Sequence, residues 1–142
     1  MISPEAKAEL TAIVGPDRAY GQPAELECMA ASPHGIRNRI MTHIAEEIRN
    51  AKAGKPSGIW MKMNSLVDAQ IITALYEASN AGVPIDLVVR GACCLPPGVP
   101  GQTDRIRVRS IVGRFLEHTR LLYFRWGAGP DNEALYLTSA DW

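Results

Sequence analysis

The sequence has few cysteines and no long apolar run. Its three cysteines, Cys28, Cys93 and Cys94, are an odd number without the spacing of a disulfide framework or of a zinc site. This excludes a disulfide-rich secreted domain, and we expect a cytoplasmic location. No apolar stretch approaches the roughly 18 residues of a membrane span, and the amino terminus lacks the basic-then-apolar pattern of a signal peptide. We therefore expect no transmembrane segment.

Common motifs for nucleotide and metal binding are also missing. The chain contains no P-loop, no dinucleotide-binding fingerprint and no cluster of residues with metal-ligand spacing, so we predict no metal site within it. What remains is ordinary for a globular protein: 142 residues, of which 46% are hydrophobic and 21% charged. This length suits a single domain with a real apolar core.

The formal net charge of zero conceals an uneven distribution of basic residues. All four lysines lie in the first half of the chain, whereas the segment from Arg90 to Arg125 has seven arginines against two acids, Asp104 and Glu117. A guanidinium presents a planar fork of donors that fits phosphate oxygens and keeps its charge. The excess of arginine favours an anionic partner, although composition alone equally allows a solvated basic face.

Hydrophobic periodicity predicts an α/β domain with a mixed sheet flanked by helices. Residues 1–30 contain scattered proline and glycine and are predicted to be an extension or linker. After it we predict two helices and five strands. In chain order they are a helix from Pro33 to Ala53, a strand from Gly58 to Met63, a helix from Asp68 to Ala81, and strands at Ile85–Val89, Arg105–Arg109, Glu117–Phe124 and Leu135–Thr138.

Arg90 lies at the end of the most apolar predicted strand, and the apolar run predicts that this strand is buried on both faces. In open α/β sheets, ligands gather outside the carboxyl ends of parallel strands, so a cation there could hold a phosphate. The alternative is an arginine paired with a carboxylate such as Asp86 or Asp68.

His118 is the histidine best placed for chemistry. In a strand it shares a face with Leu116 and Arg120, which would point an imidazole and a guanidinium into the same space. A histidine side chain titrates near neutral pH and can act on phosphorus as nucleophile, general acid or donor. A structural histidine in a core or at an edge is the alternative. We interpret His34 and His43 as structural, and Cys93 and Cys94 as loop packing.

Four blocks of sequence resemble the polyphosphate kinase family. They are KMNSLVD at residues 62–68, IDLVVRGACCLPPGVPG at 85–101, IRVRSIVGRFLEH at 106–118 and LTSADW at 137–142. The resemblance spans roughly residues 26–142 and implies that residues 31–142 are the C-terminal catalytic domain, one half of a phospholipase D-like fold. The family continues beyond position 142, so the resemblance also implies a domain truncated at its carboxyl end.

The resemblance implies the reversible transfer of the terminal phosphate of ATP to polyphosphate, with Mg²⁺ and a phosphohistidine. The phosphorylated histidine and the Mg²⁺ ligands are expected on another domain. Arg90 matches the family's arginine that contacts the ATP phosphates. His118 matches its second active-site histidine, which contacts ATP and is the predicted catalytic residue here.

The resemblance further implies ATP or ADP, polyphosphate and the remaining enzyme domains as partners, and no nucleic acid. The isolated chain is expected to be inactive, and the full-length enzyme to be a homo-oligomer that is cytoplasmic or membrane-associated. Phospholipase D-like hydrolases carry H-x-K and then an aspartate, whereas this chain has His118, Arg120 and, at the aspartate position, Arg125. Hydrolysis is therefore disfavoured. The alternative function is a non-catalytic module that binds polyanions.

Overall fold

A computed structural model describes residues 33–115, 117–125, 133–138 and 141–142 of the chain. Its elements are α1 (Pro33–Lys52), β1 (Ile59–Met63), α2 (Ala69–Asn80), β2 (Ile85–Val89), β3 (Ile106–Arg109), β4 (Arg120–Arg125) and β5 (Glu133–Thr138). Their order and type agree with the prediction. The predicted extension at residues 1–30 and the turn predicted at 127–132 lie outside the described residues. Within the described ranges, no helix is long and apolar enough to cross a membrane.

The five strands form one mixed sheet in the order β3-β2-β1-β4-β5. Strands β1, β2 and β3 are parallel, with Met63 opposite Val89 at the ends of β1 and β2. Strand β4 is antiparallel to β1, with Lys62 opposite Leu121, and β5 is antiparallel to β4. The predicted α/β class with a mixed sheet is thus confirmed.

This topology gathers several chain segments at one edge of the sheet. Because β1 and β2 run in the same direction, Asn64 and Arg90 follow them side by side. Because β4 runs in the opposite direction, the residues that precede it, including His118, lie at this same edge. Asp141 reaches it too, by a contact with Asn64. We call the edge marked by Asn64, Arg90, His118 and Asp141 the carboxyl edge.

Both helices pack on one face of the sheet. Every second residue of β1 and β2 is buried and joins the helices in one apolar core. The intervening residues, such as Asp86 and Val88 of β2, are only half-buried. The prediction that this strand is buried on both faces was therefore wrong, because the described helices cover one side alone.

The helices form where the sequence pattern placed them. On α1, Ile36, Ile40 and Ile44 recur every fourth residue and are each 1% exposed, as a stripe facing a sheet requires. Helix α2 begins after Asp68, whose side chain accepts hydrogen bonds from the backbone N–H groups of Gln70 and Ile71. It ends before Gly82, whose φ of +98° favours glycine.

Two ionisable groups of α1 are buried in the core. The side chain of His43 contacts Tyr136 through Nε2, 2.7 Å from the hydroxyl, so it belongs to the core as expected. Burial, with the charge of Arg39, lowers the pKa of His43 from 6.5 to about 4. Glu47 is fully buried and accepts a hydrogen bond of 2.8 Å from the backbone N–H of Gly58. Burial raises its pKa from 4.5 to about 8, against the opposing effects of that hydrogen bond and of Arg125.

These two pKa shifts predict that the folded chain loses stability at both high and low pH. Between pH 4.5 and about 8 the unfolded chain binds fewer protons at Glu47 than the folded chain does, so this contribution to stability is lost as the pH rises. Between pH 6.5 and about 4 the unfolded chain binds more protons at His43, so that contribution is lost as the pH falls.

Replacing Glu47 with glutamine should remove the alkaline fall. Glutamine keeps an oxygen for the Gly58 N–H and cannot ionise, so we expect the variant to gain on the order of 2 kcal/mol of stability at about pH 8. At about pH 5 it should differ little from the parent. Denaturant unfolding across this range is the measurement, with Glu77→Gln on the exposed face of α2 as control. Parallel pH profiles for the Glu47→Gln variant and the parent would contradict the assignment.

Candidate functional site at the carboxyl edge

Arg90 lies half-buried at the end of β2 and donates from Nη1 to the side-chain Oδ1 of Asn64, 3.3 Å away. The two carboxylates considered as its partners are engaged elsewhere. Asp86 pairs with Arg107 and Arg109 at 2.8 and 3.5 Å. Asp68 caps α2 and pairs with Arg37 at 3.0 Å. Across the described segments, no carboxylate forms an ion pair with Arg90, whose contact is a neutral amide.

His118 is exposed and lies just outside the sheet. The strand predicted at Glu117–Phe124 begins only at Arg120, so the prediction placed its start too early. The reason is local: the carbonyl of His118 accepts a hydrogen bond of 2.8 Å from Nη1 of Arg120, and the β1–β4 pairing ends at Lys62 opposite Leu121. Leu116, which was predicted to share a strand face with His118, lies outside the described residues.

Arg120 does not share open space with the His118 ring in the way the strand pattern predicted. Its side chain is 12% exposed, and Nε donates to Oδ1 of Asp141 at 2.9 Å while Nη1 donates to the backbone of His118. A guanidinium held at both ends by protein oxygens anchors the chain.

Asp141 accepts hydrogen bonds from the residue that follows β1 and from the first residue of β4. The same Oδ1 that binds Arg120 also accepts a hydrogen bond of 3.0 Å from the backbone N–H of Asn64. Burial by itself would raise the pKa of Asp141, but the hydrogen bonds from Arg120 and Asn64 and the charge of Arg120 outweigh it and hold the pKa below its ordinary value. The carboxylate is thus ionised at neutral pH.

These contacts form a continuous chain across the sheet edge, which we call the edge network. It runs from Arg90 to Asn64, then to Asp141, then to Arg120, and ends at the backbone carbonyl of His118. Sequence reasoning named the two ends but missed Asn64 and Asp141. The signal for Asn64 was available, because it follows β1 as Arg90 follows β2.

Gly91 lets the two parallel strands stay close beyond their ends. Its N–H donates to the carbonyl of Asn64 at 2.7 Å, and a Cβ built at this position would lie 3.0 Å from that same oxygen. The segments continue side by side to a bridge between Leu66 and Cys93. A side chain at position 91 would push directly on the residue that holds Arg90.

On the sheet face that the two helices do not cover, Lys62 and Glu117 form an ion pair beside the edge network. Lys62 donates to Oε1 of Glu117 at 2.7 Å. This hydrogen bond is the main cause that lowers the pKa of Glu117, with help from the side chain of Thr119 and the charge of Lys62. Lys62 is therefore engaged beside the site and anchors the segment that leads into His118.

The described residues do not fit a Mg²⁺ ion. In the ranges given above, no three histidine, cysteine, aspartate or glutamate side chains are grouped to hold a metal. Asp141, the acidic side chain of the edge network, is occupied by Arg120 and Asn64, and the rest of that network is cationic or neutral.

This chain is similar to known proteins over most of its length. The family model described as "Polyphosphate kinase C-terminal domain 2" matches residues 29–142. The chain belongs to this family. Polyphosphate kinase from Erythrobacter litoralis is 53% identical over 124 residues, covering 86% of this chain and 17% of the relative. Polyphosphate kinase from Thermosynechococcus vestitus is 46% identical over 138 residues, covering 97% of this chain and 18% of the relative.

A solved structure supports the fold. The crystal structure of polyphosphate kinase from Porphyromonas gingivalis matches with a TM-score of 0.73 and 41% identity, over 85% of this chain and 18% of that chain. The predicted family and the phospholipase D-like α/β class are confirmed. The chain spans less than a fifth of the length of each of these polyphosphate kinases.

Replacing Gly91 with alanine should disturb the site of this polyphosphate kinase domain. The added methyl group presses on the Asn64 carbonyl, so we expect a loss of stability on the order of 1 kcal/mol. Gly113→Ala is the matched control, since a Cβ at position 113 meets nothing within 4 Å. Denaturant unfolding of both variants is the measurement. Equal stability of the two would show that the close approach at Gly91 is easily relaxed.

Proposed function

We propose that this domain binds the phosphates of ATP and polyphosphate at the carboxyl edge, with Arg90 and His118 as the contacting residues of a polyphosphate kinase. The proposal rests on the position and the contacts of Arg90. This residue is half-buried at the carboxyl edge, where the parallel strands of the mixed sheet end, and throughout the described segments it has no carboxylate partner. A phosphate oxygen would supply the counter-charge that the described residues do not.

The contact between Arg90 and Asn64 orients the guanidinium without neutralising it. One donor, Nη1, is used by the amide oxygen of Asn64, which leaves the other donors of the fork for a ligand. An arginine held in this way has less conformational freedom to lose when it binds an anion. Arg90 therefore suits oriented binding of a polyphosphate chain, with two oxygens on one fork.

His118 supports a second contact. Its ring is exposed, and among the described residues no side chain or backbone group bonds to it; the contact it makes goes through its carbonyl. An imidazole so placed can donate to a phosphate oxygen or protonate a leaving oxygen. We assign His118 this acid or supporting role in catalysis.

Phosphoryl transfer needs positioning and charge stabilisation more than covalent chemistry from the protein. In the proposed reaction the bond between the β–γ bridging oxygen of ATP and the γ-phosphorus breaks, ADP departs, and the phosphoryl group passes through a histidine elsewhere in the enzyme to polyphosphate. Arg90 and His118 would stabilise charge that develops on the phosphate oxygens. The nucleophile and Mg²⁺ ligands would come from the remaining domains, so the isolated chain should not turn over.

An exposed apolar segment beside His118 supports a partner at this edge. Ile111, Val112 and Phe115, which lie between β3 and β4, are 39%, 92% and 88% exposed. Side chains of this kind in a loop are costly to leave in water and often mark contact surfaces. We infer that the remaining domains of the same enzyme pack near this segment and close the site.

The proposal predicts that removing the side chain of Arg90 or His118 lowers activity much more than removing that of an arginine outside the site. In a full-length polyphosphate kinase that contains it, Arg90→Ala and His118→Ala should each lower kcat/KM for ATP-dependent chain synthesis about 100-fold, as loss of a charge-stabilising donor does. Arg107→Ala on exposed β3 is the control and should change it less than about twofold. Full activity in both site variants would refute the proposed function.

A non-catalytic polyanion-binding module remains the second candidate, and one observation favours it: Arg105, Arg107 and Arg109 are exposed on or beside edge strand β3. Electrostatic binding to such a face weakens steeply with salt. We expect polyphosphate binding to the 142-residue chain to depend on Arg90 and to vary modestly with salt. Binding that is unchanged by Arg90→Ala and collapses in high salt would favour the module instead.

A further inference from the structure

We propose that Asp141 is a positioning residue that holds Arg90 and His118 in register with each other. The inference rests on the proposed function, since it concerns how the two phosphate-contacting residues are kept in place. Asp141 need not touch the ligand. Its role follows from where the backbone ladder of the sheet stops and what spans the gap beyond it.

The backbone pairing between β1 and β4 stops before it reaches Asn64 and His118. The pairing of β1 with β4 ends at Lys62 opposite Leu121, so no ladder pair joins Asn64 to the residues that lead into β4. Arg90 is tied to the β1 side of this gap through Asn64, and His118 lies on the β4 side. The Lys62–Glu117 ion pair also spans this gap, and a further bridge joins Asn64 to Arg120.

Asp141 is that bridge. Its Oδ1 accepts from the Asn64 backbone N–H at 3.0 Å and from Arg120 Nε at 2.9 Å. A carboxylate oxygen with two donors, one of them a guanidinium, makes stronger hydrogen bonds than a neutral acceptor would. Because both bonds meet on one atom, a shift of either strand end strains the other.

Each side of the bridge leads directly to a site residue. On the β1 side, the Asn64 side chain accepts from Arg90 Nη1 at 3.3 Å. On the β4 side, Arg120 Nη1 donates to the His118 carbonyl at 2.8 Å. Arg120, whose side chain is 12% exposed, thus acts through its hydrogen bonds to the protein.

The test compares two carboxylates in a full-length polyphosphate kinase that contains this domain. Asp141→Asn and Asp86→Asn each remove one negative charge from a carboxylate that pairs with arginine, but among the described residues Asp86 pairs with the β3 arginines alone. We expect Asp141→Asn to lower kcat/KM for ATP at least about tenfold, since small misplacement of binding groups is costly. Asp86→Asn should stay within about twofold. Equal effects would overturn the proposal.

A double-mutant comparison separates positioning from an independent role. In a background that carries both Arg90→Ala and His118→Ala, Asp141→Asn should cost less than about twofold further, because its targets are already gone. The same tenfold loss in that background would show that Asp141 acts by another route. Asp141→Glu keeps the charge but lengthens the side chain, so it should also lower kcat/KM if position matters.

A readout without turnover keeps this inference apart from the proposed function. In NMR spectra of the 142-residue chain, Asp141→Asn or Asp141→Glu should shift both the Arg90 Nε–H and the His118 ring signals, and Asp86→Asn should shift neither. Unmoved signals in the Asp141→Glu variant would overturn the inference even if Arg90 and His118 prove essential. Shifted signals alongside fully active Arg90→Ala and His118→Ala enzymes would refute the function alone.

Discussion

The parallel pairing of β1 with β2 determines where the candidate site lies. It places Met63 opposite Val89, and the ladder then continues through Arg90 N–H to the Met63 carbonyl and Gly91 N–H to the Asn64 carbonyl. Two buried strands packed under α1 and α2 therefore deliver an amide and a guanidinium to one point. Because β4 is antiparallel to β1, the residues that precede β4, including His118, lie at the same edge.

Charge pairing around the sheet is selective, and this selectivity defines the site. Asp86, Asp68, Glu117 and Asp141 are each paired with a basic side chain other than Arg90. Within the part of the chain that the structure describes, Arg90 therefore has no carboxylate partner. The net charge of the chain is zero, yet a local positive charge survives at the edge where parallel sheets bind ligands. Bulk charge could not have revealed this.

Local patterns in the sequence predicted the features that depend on local order. The spacing of Ile36, Ile40 and Ile44 at every fourth residue identified α1, and the apolar run before Arg90 identified β2 and its carboxyl end. The start of β4 was misplaced because the bond between Arg120 and the His118 carbonyl competes with the ladder. The partner of Arg120 could not be predicted, since Asp141 is 21 residues away and only tertiary folding brings it close.

On the proposal made above, Arg90 and His118 contact one phosphate-bearing ligand. The most direct measurement is a titration of the 142-residue chain with ATP, following the Arg90 Nε–H and His118 ring signals by NMR at fixed ionic strength. We predict that both signals move and saturate with the same Kd, while those of Arg107 and Arg109 stay in place. Signals of the β3 arginines that move while Arg90 and His118 remain still would contradict the account.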